Sequence, residues 1–349
     1  WGELMGKVCI CGHFAFGKNM MDGQTVKTKI VAEALEAKLG EENVNKIDTH
    51  GNAVQILKSV VQAVVSMFCH ENMMMLPAHN GVRVFGLVLA LVKNFSRCKL
   101  HYVVIGGWLP KILKGNRLLA NALKKFDAIY VETSTMQKQL EEQGFSNIVL
   151  MPNCKKLRIL SSNETVSHTE APYPLCTFSR VMEEKGIEKA IEAVKTINEQ
   201  KKQVVYTLDI YGPVDPGYQE RFSKLQKEFP AYVRYCGSVP QEKSVPVVKR
   251  YAALLFPTRF YTEGVPGTII DAYAAGVPVI ASRWESFADV VDDGLTGIGY
   301  PFEIPEKLLE ILRTVAENPQ ILIDMKSACL KKAEDFSPAV IDKILLPRL

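Results

Sequence analysis

The sequence has no long apolar run. The longest, residues 84–92, is far short of the roughly 20 residues that a membrane-spanning helix needs. It has no C-x-x-C pair and no His/Cys spacing suited to a metal. The eight cysteines are scattered, and only Cys9 and Cys11 are close, reading as two residues on one face of a strand. A disulfide framework and a zinc module are therefore excluded, and the set reads as reduced, cytoplasmic thiols. The G-x-G-x-x-G fingerprint is missing, which disfavours a nicotinamide cofactor. There is no Asp-x-Asp motif to seat a metal, and Asp292-Asp293 reads as a surface turn. A net charge of +4 over 349 residues is too mild to argue for nucleic acid. No repeat or low-complexity tract appears. No signal-peptide pattern opens the chain, and Trp1 in place of Met points to a trimmed start.

What is present is ordinary soluble composition, 47% hydrophobic and 23% charged. The length exceeds what one core serves, so two domains are expected. Short apolar, β-branched runs alternate with helical periodicity. Residues 7–11 read as a strand. A glycine-bearing loop follows, then a helix over about 24–39 with Asp22 or Gly23 in its cap region. Residues 44–49, 100–107, 127–133 and 147–151 read as further strands, and 82–94 and 136–143 as helices. Residues 54–68 look like a helix merged with a strand that periodicity cannot separate. Met73, Met74 and Met75 read as buried packing. His101 reads as a satisfied structural histidine. Trp108, after a glycine pair at a strand end, could stack on a sugar or plug the core, and the sequence leaves both open. Lys111, Lys114, Arg117, Lys124 and Lys125 cluster as a solvated helix face, or as a contact to anionic lipid or a lipid diphosphate.

Residues 154–174 are polar and turn-rich and read as the connection between domains. The second half then repeats the alternation. Strands are expected at 175–179, 204–211, 233–236, 253–256 and 277–281. Helices are expected at 187–199, 219–229, 245–251, 304–315 and 319–334.

The stretch 256–297 organises this half. A strand ends near Pro257, and the loop Glu263-Gly264-Val265-Pro266-Gly267 leads into a helix over 268–275 that Gly276 stops. A glycine-bearing loop at a helix N-terminus presents free amides and the positive end of the helix dipole, a seat for phosphate. Glu263 and Asp271 bracket it. A phosphate between two acids suits a ligand with hydroxyls on either side of its phosphates, and a nucleotide sugar fits.

These residues resemble the signature of retaining glycosyltransferases of family 4. That pattern is E-G-x-P-x-x-x-x-E-A, then G-x-P-V-I-A-S, then D-G-x-T-G. Here Glu263-Gly264-Val265-Pro266 is followed by Asp271-Ala272, by 276–282 and by Asp293-Gly294-Leu295-Thr296-Gly297. Asp271 replaces the usual Glu. Arg180 to Gly186 is similar to the family's G-R-x-x-x-x-K-G, with Ser179 in place of Gly. The opening loop around Gly12, Gly17 and Gly23 is similar to that of bacterial polysaccharide transferases.

The resemblance implies an α/β GT-B fold, two Rossmann-like doubly wound domains facing a cleft. The acceptor-binding domain would span 1–160 and the nucleotide-sugar domain 172–333, with the tail 334–349 packing back on the first. It implies transfer from a nucleotide diphosphate sugar, UDP-linked, with retained anomeric configuration and no cofactor or metal. Arg180 and Lys185, with amides around Gly267 and Thr268, would stabilise the leaving diphosphate. Glu263 would hold donor-sugar hydroxyls and Asp271 the ribose. Gly264 and Val265 belong to the same loop. Backbone groups near Gly212 and Val239 would hold the nucleotide, and Gly17 could approach the diphosphate. The acceptor would be a saccharide or lipid-linked saccharide, reached from the cytoplasm with possible peripheral membrane contact. Two alternatives share the architecture: a UDP-sugar epimerase and a non-catalytic partner subunit.

Overall fold

The computed structural model describes residues 6–18, 20 and 22–349. Asn19 and Met21 of the opening loop, like residues 1–5, lie outside the described residues. The chain forms two compact units, 1–156 with 336–349 and 157–335.

Unit 1 runs β1 (Gly6–Gly12), α1 (Gly23–Leu39), β2 (Val44–Asp48), α2 (Ala53–Ser66), β3 (His70–Leu76), α3 (His79–Val92), β4 (Lys99–Val103), α4 (Leu109–Lys114), α5 (Arg117–Leu123), β5 (Ala128–Val131), α6 (Ser134–Glu142) and β6 (Ile148–Leu150). The sheet order is β2-β1-β3-β4-β5-β6, and every pairing is parallel. Parallel strands buried on both faces need apolar runs, which is why Cys9, Cys11 and Met73 to Met75 are all buried. Cys9, Cys11, Met73 and Met75 face one core, shared with α2 to α6. Ile10 and Met74 face the other, with α1 and the tail residues Ile341 and Leu345. Lys38 and Asp342 add an ion pair, 2.9 Å, between α1 and that tail.

Unit 2 runs β7 (Tyr173–Phe178), α7 (Ile187–Lys201), β8 (Tyr206–Tyr211), α8 (Gln219–Gln226), β9 (Val233–Gly237), α9 (Ser244–Val248), β10 (Ala253–Phe256), α10 (Gly267–Ala274), β11 (Val279–Arg283), α11 (Phe287–Val290), β12 (Gly297–Pro301), α12 (Lys307–Glu317), α13 (Gln320–Asp324) and α14 (Lys326–Ala333). Its order is β12-β11-β10-β7-β8-β9, also parallel. The chain winds outward from β7 to β9, then returns to the other side of β7 at β10. The crevice between the carboxyl ends of β7 and β10 is thus a topological switch point, where open α/β sheets bind ligands. In unit 1 the same point falls between β1 and β3.

Three expectations need correction. Residues 54–68 hold no strand: α2 runs to Ser66, and the next strand begins at His70. The expected helix over 319–334 is two, α13 and α14, parted at Met325. The strand expected over 100–107 ends at Val103.

Candidate functional site

The switch point of unit 2 gathers several of the expected residues. After β7 the chain makes a single 3-10 turn, Glu183–Lys185, then enters α7 through Gly186 at φ 69°. A Cβ on Gly186 would lie 1.9 Å from the Pro257 carbonyl oxygen, so only glycine lets the loops after β7 and β10 come this close. The Arg259 amide donates to the Glu184 carbonyl at 2.6 Å. Glu183 ion-pairs with Arg221 at 2.9 Å and lies 3.5 Å from Arg259.

This closeness brings Lys185 and Glu263 together as an ion pair. The Lys185 ammonium also lies 5.4 Å from the Phe256 ring centre and 5.2 Å from that of Phe260. Aromatic faces on two sides favour the cation and hold its position. Thr258, buried, donates its hydroxyl to Glu263 at 3.1 Å, and the Ser282 hydroxyl donates to the Thr258 carbonyl at 2.6 Å. The pair is braced from β10 and β11.

From Glu263 the chain passes Gly264 and Val265, both buried, to the amino end of α10. Pro266 occupies the cap position and has no side-chain acceptor of its own, and no acid lies in the first turn. The Thr268 hydroxyl in that turn is buried without a hydrogen-bond partner. Asp271, on the next turn, is 3% exposed. Gly276 at φ 65° ends the segment, its amide bonded to the Tyr273 carbonyl at 2.9 Å.

Arg180 is placed differently. Its loop is tied to the one after β8: the Val181 amide donates to the Pro213 carbonyl at 2.9 Å, and the Asp215 amide donates back to the Val181 carbonyl at 3.0 Å. Gly212 at φ 129° allows this, because a Cβ there would sit 1.8 Å from the Ser179 carbonyl oxygen. The Arg180 guanidinium is half-exposed and 3.7 Å from Asp215. Among the described residues its ion pair is with Asp215, not with Glu263. The Gly212 amide donates to the Gly237 carbonyl at 2.9 Å, next to the segment that leads to Val239.

Gly17 belongs to unit 1, at φ 75° with open space where a Cβ would point. The neighbouring amides are already used. Those of Phe14, Ala15 and Phe16 donate to the Asp48 carboxylate at 3.0 to 3.2 Å, and that of His50 does so at 2.9 Å. Burial pushes the Asp48 carboxyl up, but these four donors outweigh it and hold it below the usual carboxylate range. The sequence reading missed Asp48, and missed a chain of polar contacts at the same edge. Lys18 Nζ lies 2.9 Å from His50 Nε2, His50 Nδ1 lies 2.8 Å from His13 Nε2, and His13 Nδ1 lies 2.8 Å from Thr25 Oγ1. Thr25 donates to Asp22 at 2.7 Å. With that last proton pointing at Asp22, each donor upstream must point the same way, from the ammonium to the carboxylate.

His101 is buried, with Nε2 3.1 Å from Asn72 Oδ1 and Nδ1 3.2 Å from the Tyr130 hydroxyl. Burial pushes its pKa down to about 4, so it is neutral and structural. Trp108 packs partly against the core, and its indole N–H donates to the Ile105 carbonyl at 2.7 Å. Among the described residues no group of three or more His, Cys, Asp or Glu side chains is arranged to hold a metal. No described helix is long and apolar enough to cross a membrane.

Residues 173–318, within unit 2, match the family described as glycosyl transferases group 1. The chain is 30% identical over 215 residues to an uncharacterized 41.2 kDa protein in the cps region of Klebsiella pneumoniae, 59% of this chain and 56% of that one. It is 25% identical over 171 residues to the amylovoran biosynthesis glycosyltransferase AmsK of Erwinia amylovora, 47% and 40% respectively. It thus matches about half the length of these relatives. Anabaena HepE in complex with UDP and glucose superposes with a TM-score of 0.72 over 97% of both chains at 14% identity. Sucrose-phosphate synthase from Thermosynechococcus elongatus does so with 0.75, over 97% of this chain and 96% of that one, also at 14%. The fold is GT-B, with two Rossmann-like domains.

Proposed function

We propose that this chain is a retaining glycosyltransferase of family 4 type, moving a sugar from a nucleotide diphosphate donor, UDP-linked, to a saccharide or lipid-linked saccharide. The observation that carries this is the Lys185–Glu263 pair at the β7/β10 switch point, on the loop that leads to the amino end of α10. One charge of each sign, held side by side, suits a ligand that presents phosphate and hydroxyls together. HepE's complex with UDP and glucose is such a pairing in a protein of the same fold.

In this reading Lys185, Arg180 and the first turn of α10 at Gly267 and Thr268 stabilise the diphosphate as it leaves. The Thr268 hydroxyl gains a phosphate oxygen as partner. Glu263 grips donor-sugar hydroxyls, and Asp271 the ribose. Backbone groups by Gly212 and Val239 hold the base. The leaving phosphate takes the acceptor proton on the same face, which preserves the anomeric configuration and needs no separate base. With cations on the diphosphate, the reaction proceeds without metal. Unit 1 takes the acceptor, with His13, His50 and Lys18 at its own switch point. The capsule-region and amylovoran relatives favour a surface-polysaccharide acceptor. The enzyme works on the cytoplasmic side, in peripheral contact with the membrane.

The test is UDP release from a panel of UDP-sugars, with and without saccharide acceptors and EDTA. Acceptor-dependent release that survives EDTA is expected. Interconversion of UDP-sugars without release would make the chain an epimerase. Thermal stabilisation by UDP with no turnover would make it a partner subunit.

A further inference from the structure

Two aromatic side chains stand exposed beside the acid of the β7/β10 switch point. Phe260 is 37% and Tyr261 49% exposed, and Glu263 follows them in the same loop after β10. The other large apolar side chains exposed among the described residues of unit 2, Val166, Val204, Leu295 and Ile304, are all aliphatic.

The turn that carries the two rings is braced from several sides. The Thr258 hydroxyl accepts from the Phe260 amide at 3.1 Å and donates to Glu263 at 3.1 Å, so one side chain fixes both the aromatic segment and the acid. The Tyr261 carbonyl accepts from the Glu285 amide at 3.0 Å, which ties the turn to the loop after β11. The Tyr261 ring meets that of Phe302, just past β12, edge to face with 5.3 Å between centres. The Phe260 ring borders the Lys185 ammonium. Rings held in this way lose little further freedom when a ligand lies on them.

Size and position identify the ligand. Two part-exposed rings offer about 200 Å², far below the roughly 800 Å² that each partner buries in a stable protein interface. They match one ring of a small molecule. In the sheet order β12-β11-β10-β7-β8-β9, the segments near Gly212 and Val239, proposed above for the base, follow β8 and β9. Tyr261 and Phe302 follow β10 and β12, at the other end of the row, with Lys185 and Glu263 between. The aromatic end is thus the sugar end. A hexose carries hydroxyls around its rim and C–H groups on its faces. A carboxylate suits the rim, and an aromatic ring suits a face.

We propose that Tyr261, held by Phe302 and extended by Phe260, is a stacking surface for the donor's hexose ring, the ring whose hydroxyls Glu263 takes, and that it sets which UDP-hexoses the chain accepts. The assignment rests on the transferase reading of Lys185 and Glu263.

Titration of the full chain with UDP and with UDP-glucose, UDP-galactose, UDP-N-acetylglucosamine and UDP-N-acetylgalactosamine tests this. Tyr261→Ala should weaken the best-bound UDP-hexose on the order of 10-fold and leave UDP affinity unchanged. Tyr261→Phe keeps the ring face and should bind both like the unaltered chain. Tyr261 is exposed, so melting temperature should hold in both variants. In the complex, saturating the protein's aromatic protons should transfer to the hexose C–H protons, and the transfer should fall in Tyr261→Ala. A UDP-hexose bound equally by Tyr261→Ala and the unaltered chain would overturn the proposal and leave the transferase reading standing. So would UDP and UDP-hexose weakened by the same factor, which would make Tyr261 a brace of the loop, and so would binding of UDP with no UDP-hexose bound. A chain that binds neither UDP nor any UDP-hexose would overturn both.

Discussion

The Lys185 ammonium and the Glu263 carboxylate are ion-paired across the two loops that meet at the β7/β10 switch point, with each side chain 16% exposed. Neither is free to swing, because Phe256 and Phe260 flank the lysine and Thr258 binds the acid. Lys185→Ala should lower acceptor-dependent UDP release by at least ~100-fold and weaken UDP binding, since it removes a preorganised cation from the leaving group. Glu263→Gln keeps the shape and should lower turnover while leaving UDP affinity within a fewfold, because its proposed contact is to the sugar. UDP titration beside steady-state kinetics distinguishes the two. A merely structural pair would lose melting temperature in both variants and leave their UDP affinities equal.

Arg180 offers a cleaner separation of stability from function. It is half-exposed and 3.7 Å from Asp215, a geometry worth no more than about 1 kcal/mol. Arg180→Ala should therefore leave denaturant unfolding nearly unchanged while abolishing transfer and weakening UDP binding. Unchanged turnover would remove Arg180 from the site and leave the cationic role to Lys185 and α10.

Gly186 sets the distance between the two loops. A methyl at φ 69°, 1.9 Å from the Pro257 carbonyl, forces backbone apart rather than a side chain aside. Gly186→Ala should cost about 2 kcal/mol or more in unfolding free energy. It should also cost activity out of proportion to stability, because separating the loops separates Lys185 from Glu263. Activity that falls only in step with the folded fraction would argue that the pair tolerates the shift.

The apolar strands and capped helices were legible in the sequence because a buried parallel strand and an amphipathic helix each leave a period. Asp22 was readable as a cap, and it accepts from the amides of Gln24 and Thr25. The boundary of α2 was not, and the reason is physical. Its outer face carries Val54, Leu57, Val61 and Val65, so the polar phase that would mark a helix is missing. The local rule fails where a helix is apolar on its exposed face as well as its buried one. The loop from Glu263 to Asp271 was legible through its residue types. Its meeting with Lys185 depends on strand order, which periodicity does not encode. Arg180 shares a motif with Lys185, yet its own loop is bound to the one after β8 and turns it toward Asp215. Asp48 was not legible, since three of its four amide partners come from the loop after another strand.

His101 makes the fold itself sensitive to acid. It is 1% exposed, and its ring nitrogens are matched to Asn72 and Tyr130 as a neutral imidazole. Burial lowers its pKa from 6.5 to about 4, outweighing nearby Asp127, while Lys99 and Lys93 push the same way as burial. Between those values the unfolded chain binds the proton and the folded one does not. The contribution of the neutral imidazole is therefore complete above pH 6.5 and is lost as pH falls toward 4, with a ceiling of about 3 kcal/mol. Carboxylates titrate in the same range, so the comparison must be with His101→Gln, which cannot take the proton. At pH 7.5 the variant should be the less stable, through imperfect replacement of the two hydrogen bonds. The gap should narrow steadily in unfolding curves at pH 6.5, 5.5 and 4.5. Parallel curves across that range would mean that the folded state admits the proton, and that the site around Asn72 and Tyr130 rearranges to accept it.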